Sequence, residues 1–151
     1  MRRGFRMLKE DCLGCRLANH LTETYVIYEN DLLTCILDIA PIHEGHILIL
    51  PKHHVQDLDE LDQATALAIM IASAELSRAL KACYQPDGIT IMQNGGSFND
   101  LGHYHMHVFP RFDADGFGWV EPVHEIDLHD RLDATHMDLK EALQRIRVVQ
   151  K

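Results

Sequence analysis

At one point of the chain three histidines alternate with larger apolar-bodied residues: His103, His105 and His107 are interleaved with Tyr104, Met106 and Val108. A period of two belongs to an extended strand, whose successive side chains point to opposite faces. The pattern predicts a strand over His103–Pro110. Its three imidazoles share one face at a spacing of roughly 6.5 Å, while Tyr104, Met106 and Val108 turn onto a core. Imidazoles in such a row can ligate a metal, move protons or attack an electrophile. One metal shared by all three is excluded, because His103 and His107 would stand roughly 13 Å apart against metal–ligand bonds of ~2.1 Å.

The rest of the chain reads as the frame for that strand. Tyr25–Glu29 and Leu33–Asp38 are predicted strands around an Asn30-Asp31 turn. His46–Pro51 is a third, nearly continuous in apolar residues. Leu61, Ala64, Leu67, Ala68, Ile71 and Ala74 recur at helical spacing, which predicts one long helix over Asp57–Tyr84, stopped at Pro86-Asp87-Gly88. Gly88–Gln93 is the fourth strand, and a second helix is expected over Met137–Val148. A helical turn is possible around Cys12 and Cys15. The order β-β-β-α-β-β gives an α+β fold, a sheet with its helices on one side. Asp57, Asp59, Glu60 and Asp62 read as carboxylates at the N-terminus of the long helix, not as a metal site. Cys35 and Cys83 read as small buried hydrophobes.

Charge and length bound the partners. The 151 residues suit a single domain, and a hydrophobic content of 46% is enough for one core. A net charge of −9 argues against a nucleic-acid polymer or an anionic membrane as partner. The acidity is concentrated in the helix start and in residues 113–141, whereas residues 1–16 are locally basic through Arg2, Arg3, Arg6, Lys9 and Arg16. No apolar run approaches the ~18 residues of a membrane span, and the basic N-terminus has no apolar stretch behind it, so a cytoplasmic location is expected. The nearly neutral stretch 88–112 holds the chemistry. Within it Asn94-Gly95-Gly96-Ser97-Phe98-Asn99-Asp100 combines glycines with neutral donors, a pairing that suits an anionic group such as phosphate.

His103-Tyr104-His105-Met106-His107-Val108-Phe109 resembles the signature of the histidine triad (HIT) family. Leu37-Asp38-Ile39-Ala40-Pro41, the run Gly45 to Lys52, and Asn94-Gly95 resemble the same family, and the likeness spans about residues 10–112. It implies a single HIT domain with a five-stranded antiparallel sheet, one long helix, a short C-terminal helix and an extension over 113–151. It also implies a homodimer, formed through the long helix and the fourth strand. By resemblance the enzyme hydrolyses dinucleoside polyphosphates or nucleoside phosphoramidates at the α-phosphate. His105 is then the nucleophile that carries a nucleotidyl intermediate, and His107 donates to the phosphate oxygens. Asp38 is matched to the ribose, Ile27, Ile36 and Ile39 to the base, and Asn94, Ser97 and Asn99 to the phosphate. A second reading is a nucleotide-binding module with slow turnover that acts through a protein partner. Many members carry Gly-Gln-Ser or Gly-Gln-Thr before the triad, where this chain has Phe98-Asn99-Asp100-Leu101. Asp100 would repel a phosphate if it faced inward, or else it turns away and ties down the loop.

Cys12 and Cys15 form a C-x-x-C pair without the preceding strand of a redox motif, which leaves zinc as the better use. Zinc needs two further ligands, and spacing admits His53, His54 and His103. A zinc-bearing branch of the family implies Cys12, Cys15, His54 and His103 as a structural Zn²⁺ site. The other histidines (His20, His43, His46, His124, His129 and His136) are expected at the surface or in loops. Trp119 either reaches a dimer partner or is a buried anchor.

Overall fold

The computed structural model describes residues 8–123 and 128–149. Arg2, Arg3, Arg6 and His124 lie outside the described residues. Residues up to Asp115 form one compact unit and those from Gly116 onward a second.

The first unit is built on a five-stranded antiparallel sheet in the order β1-β2-β3-β5-β4. Its strands are β1 (Val26–Glu29), β2 (Leu33–Leu37), β3 (Ile47–Pro51), β4 (Gly88–Met92) and β5 (Met106–Arg111). A short helix, α1 (Leu13–Ala18), precedes the sheet, and the long helix α2 (Gln63–Tyr84) joins β3 to β4. The β1–β2 turn forms where Asn30 Oδ1 accepts from the backbone of Leu32 and Leu33, the local competition with regular structure that makes Asn a turn residue.

Most of the core lies between α2 and one sheet face. Ile69, Ala72, Leu76 and Leu80 of the helix meet Leu33, Cys35, Ile47, Ile49, Tyr104, Met106 and Val108. Tyr104, Met106 and Val108 therefore face the long helix, as the alternation requires. The helices are not confined to one side. Ala18 of α1 packs with Ile36 and Leu50 on the other sheet face, and Thr34 Oγ1 donates to the Ala18 carbonyl there at 2.7 Å.

Two expected boundaries move. β5 begins at Met106, so His103 and His105 precede the ladder. The long helix begins at Gln63, behind a 3₁₀ turn at Leu58–Glu60, because Asp62 takes the N-cap. Its carboxylate accepts from the Thr65 N–H and from the Thr65 hydroxyl, both at 2.9 Å. The acidic cluster is thus divided among backbone ties: Glu60 accepts from the Gln56 N–H and Asp57 from the Gly96 N–H. Cys35 is buried, and burial pushes its thiol up to about 12. Cys83 is exposed, contrary to expectation: it lies in the last turn of α2, at the rim of the cavity that Leu76 and Leu80 also line.

In the second unit α3 spans Leu132–Val149, starting five residues earlier than its apolar spacing suggested. Trp119 is exposed, which removes the reading of it as a buried anchor. Among the described residues no helix is long and apolar enough to cross a membrane.

The Asp62 cap is testable. Asp62→Ala leaves the Thr65 N–H without its acceptor and is expected to cost about 1 kcal/mol, read as a lower urea midpoint with an unchanged denaturant slope. The folded carboxylate is held below its usual range, chiefly by the Thr65 backbone bond. The cap's contribution is therefore complete above the normal carboxylate range and is lost as the pH falls through it.

Candidate active site and metal centre

Strand register decides which side chains share the histidine face. Val26 opposes Ile36, Ile36 opposes Leu48, Leu48 opposes His107 and His107 opposes Met92. Opposed residues of antiparallel neighbours lie on one face, so this row runs across the sheet on the side away from α2. The stretch before β5 is held at both ends of the Tyr104 peptide. The Tyr104 N–H donates to the Val55 carbonyl at 2.7 Å, and its ring is buried against α2.

Each triad imidazole has one nitrogen committed to a partner, which determines what the other can do. His105 Nδ1–H donates to the His103 carbonyl at 2.9 Å, so in the neutral ring Nε2 carries the lone pair. At His46 the Ile42 N–H donates to Nδ1 at 3.1 Å, which leaves Nε2–H to donate to His107 Nδ1 at 2.9 Å. His107 then keeps its proton on Nε2. The His105 and His107 rings meet edge to face with centroids 4.8 Å apart. A nucleophilic nitrogen and an N–H donor therefore stand side by side on a buried sheet face. Burial lowers the basicity of both donor-chain rings. His46 is shifted down chiefly by desolvation, and His107 falls to about 4 through desolvation reinforced by His105 and His46.

The loop in front of the triad is tied down at several points. Asp57 Oδ1 accepts from the Gly96 N–H at 2.8 Å, where Gly96 takes a φ of +58° that favours glycine. Asn99 Nδ2 donates to the carbonyls of Gln56 and His103, and its Oδ1 accepts from Leu101 and Gly102. Both amide hydrogens of Asn99 are thus spent on the loop, and it holds the loop's shape instead of offering a free donor to phosphate. Asn94 and Ser97 are exposed on the same loop. Asp100 faces inward, with Oδ1 3.3 Å from His105 Nε2.

A second cluster lies beyond His103. The His103 Nε2–H donates to the Pro51 carbonyl at 2.9 Å, which leaves Nδ1 as an acceptor. Nδ1 sits 3.7 Å from Cys12 Sγ and 3.6 Å from Cys15 Sγ, and His54 Nδ1 sits 3.4 Å from Cys15 Sγ. Tetrahedral ligands at about 2.1–2.3 Å from a metal are separated by roughly 3.4–3.8 Å along each edge. These separations match that edge, and the donor set of two thiols and two imidazoles is the set that holds a tetrahedral metal. These four residues form a metal-competent cluster, and His54 is the adjacent histidine that joins it. Burial lowers His103 to about 4, which keeps its imidazole neutral and able to ligate. Asn19 Nδ2 bridges the carbonyls of Cys15 and Lys52, both at 2.8 Å, and so fastens α1 to the end of β3.

The expected nucleotide residues divide. Asp38 stands at the end of β2 with Oδ1 accepting from the Ala40 N–H at 2.9 Å and Oδ2 3.6 Å from His46 Nδ1. Ile36 lies on the histidine face but is buried against α1, and Ile39 is fully open beside Asp38. Ile27 does not share that face. The β1–β2 register shifts between Val26 and Tyr28, and Ile27 lines a cavity of about 130 Å³ with Leu37, Ile47 and Leu76 on the α2 side. Val26 occupies the histidine-face position instead. Alternation alone could not show this, because the irregularity is a feature of pairing.

Two residues were missed. His46 was expected in a loop, yet it is buried and bonded to His107. The alternation His46-Leu48-Leu50 already placed it with Leu48, but only the β3–β5 register brings Leu48 opposite His107. Gly14, between the two cysteines, packs directly on His103, where a Cβ would lie 2.3 Å from the His103 Cβ.

Gly14→Ala is expected to push α1 off His103 at a cost at or above the about 1–3 kcal/mol of core overpacking, seen as a lower thermal midpoint and weaker metal retention in a chelator titration. The buried neutral rings make a second, pH-dependent prediction. Unfolding releases His46 and His107 to ordinary histidine behaviour, so their contribution is complete above about pH 6.5 and is lost as the pH falls from there towards the folded value, about 4 for His107. Urea midpoints measured from pH 7.5 to 5 are expected to fall more steeply for the native chain than for His107→Asn.

A family model described as the HIT domain matches residues 20–114. An uncharacterised HIT-like protein of Borreliella burgdorferi is 34% identical over 113 residues, covering 72% of this chain and 81% of its own. An adenosine 5'-monophosphoramidase of Candida albicans is 30% identical over 142 residues, covering 89% of this chain and 93% of its own. A solved zinc-bound histidine triad family protein of Mycobacterium smegmatis superposes with a TM-score of 0.67 at 28% identity, covering 87% of this chain and 97% of its own. With the triad, the fold and these relatives in agreement, the chain belongs to the HIT family.

Proposed function

We propose that this chain is a nucleotide hydrolase that acts at the α-phosphate of dinucleoside polyphosphates or nucleoside phosphoramidates. The observation that carries this reading is the pair of opposed tautomers: a lone pair on His105 Nε2 beside a proton on His107 Nε2. His105 Nε2 attacks phosphorus and forms an N–P bond while the bond to the leaving group breaks. Through Nδ1–H the ring passes part of the positive charge it acquires to the His103 carbonyl. His107 donates its Nε2–H to a phosphoryl oxygen as negative charge builds there, and His46 holds that proton in position. Water then attacks phosphorus, the N–P bond breaks and His105 recovers its lone pair.

Asp38 accepts from the ribose hydroxyls, and Ile39 flanks the base. Asn94 and Ser97 contact the phosphates from the loop. Cys12, Cys15, His54 and His103 would hold a structural Zn²⁺, whose coordination would tie α1 to the catalytic stretch without entering the chemistry. The chain acts as a homodimer in the cytoplasm. The support for the dimer is an open apolar strip on α2, Leu67, Met70 and Ile71, with Ile91 of β4. The phosphoramidase activity named for the Candida albicans relative supports the reaction class.

The nucleophile has a direct test. Protein quenched in acid after exposure to substrate is expected to carry a nucleotidyl mass on His105. His105→Ala is expected to lose turnover by roughly 10⁴-fold or more while still binding AMP, and undiminished turnover in that variant would sink the assignment. The metal has its own test. About one zinc per chain is expected by elemental analysis, and Cys12→Ser is expected to lose it and to lower the thermal midpoint.

A further inference from the structure

The inward carboxylate of Asp100 is not used by the reaction as derived above. Its Oδ1 lies 3.3 Å from His105 Nε2, the atom that attacks phosphorus. The backbone on both sides of it is pinned by Asn99, whose side chain spans Gln56, Leu101, Gly102 and His103. The backbone that carries Asp100 is therefore held beside His105, and the side chain itself is 88% exposed. A substrate phosphorus in attacking position stands roughly 3–3.5 Å from the nucleophile. In an in-line displacement the leaving atom stands on the far side of phosphorus, roughly 5 Å from Nε2, so it lies at most roughly 8 Å from the Asp100 carboxylate and inside the screening length of about 10 Å at 0.1 M salt.

We infer that Asp100 is a specificity-determining residue, selecting substrates whose α-phosphate carries an amine leaving group over those whose leaving group is anionic. This rests on the hydrolase reading above and deepens it. In a nucleoside phosphoramidate the P–N bond breaks with its electron pair passing to nitrogen, which takes a proton from solvent and departs as an amine. Such a group offers N–H donors to a carboxylate before departure and, when protonated, a positive charge. In a dinucleoside polyphosphate the P–O bond breaks and the departing oxygen leaves on a chain with further negative charges, which Asp100 opposes. The second half of the cycle is the same for both. Water forms the new P–O bond, the N–P bond to His105 breaks, and the proton lost by water balances the one taken up by the leaving group. The preference is therefore set in the first half, where the leaving group is still present.

The experiment compares kcat/KM for adenosine 5'-phosphoramidate and diadenosine tetraphosphate in the native chain, Asp100→Asn and Asp100→Glu. The native chain is expected to favour the phosphoramidate. Asp100→Asn is expected to shift the ratio of the two constants towards the tetraphosphate by about tenfold, the size expected of a charge pair near the surface. Asp100→Glu, which keeps the charge, is expected to retain the native ratio. An unchanged ratio in Asp100→Asn, or an equal change for both substrates, overturns the inference. Equilibrium binding of AMP against the methylene-bridged analogue of ADP, in the same three proteins, separates this failure from that of the hydrolase reading. If neither substrate is turned over, the hydrolase reading falls. Asp100→Asn must then still tighten the analogue relative to AMP, and equal binding shifts overturn the role of Asp100.

Discussion

The histidine stretch works because each ring is held through one nitrogen. His103 donates to Pro51, His105 to the His103 carbonyl, and His107 accepts from His46. An imidazole without such a partner exchanges tautomers, and the roles of its two nitrogens exchange with them. Here the backbone carbonyls and one buried ring settle the matter. An Nδ1 that joins the metal-competent cluster, a lone pair on His105 Nε2 and an N–H on His107 Nε2 follow in turn along five residues. The burial of Tyr104 beneath this stretch anchors all three, since its ring and its N–H bond to Val55 hold the backbone from the opposite face.

The metal-competent cluster and the catalytic pair are consequently one mechanical unit. His103 belongs to both, presenting Nδ1 to the two thiols while its carbonyl orients His105. Gly14 lets α1 approach closely enough for both cysteines to reach it, and Asn19 fastens the same helix to β3. Loosening α1 therefore disturbs His105 without touching it. On the other side, the loop pinned by Asp57 and Asn99 brings Asp100 Oδ1 to 3.3 Å from His105 Nε2.

Several features were legible in the residues alone. The period of two identified the strand and which of its faces meets the core. The apolar spacing identified the long helix to within a few residues. The C-x-x-C pair identified the zinc-type donors. These are local properties, written in the order of side chains along one element. What was misread depended on pairing between elements. Ile27 sits on the far face because the β1–β2 register shifts between Val26 and Tyr28. Cys83 is exposed although it shares the helical stripe of the buried Leu76 and Leu80, because it lies one turn beyond them at the end of α2. The beginning of β5 was placed too early because His103 and His105 spend their contacts on Pro51, on the cysteines and on backbone carbonyls outside the ladder.

The sequence by itself determined the chemistry available: imidazoles in alternation, thiols two residues apart, and a polar loop bearing one acid. Only the tertiary structure decided which nitrogen does what. That decision rests on partners distant in the chain: Pro51 for His103, His46 for His107 and the C-x-x-C helix for His103 and His54. Side-chain type is inherited from the chain, but proton position is set by the hydrogen bonds that the fold closes around it.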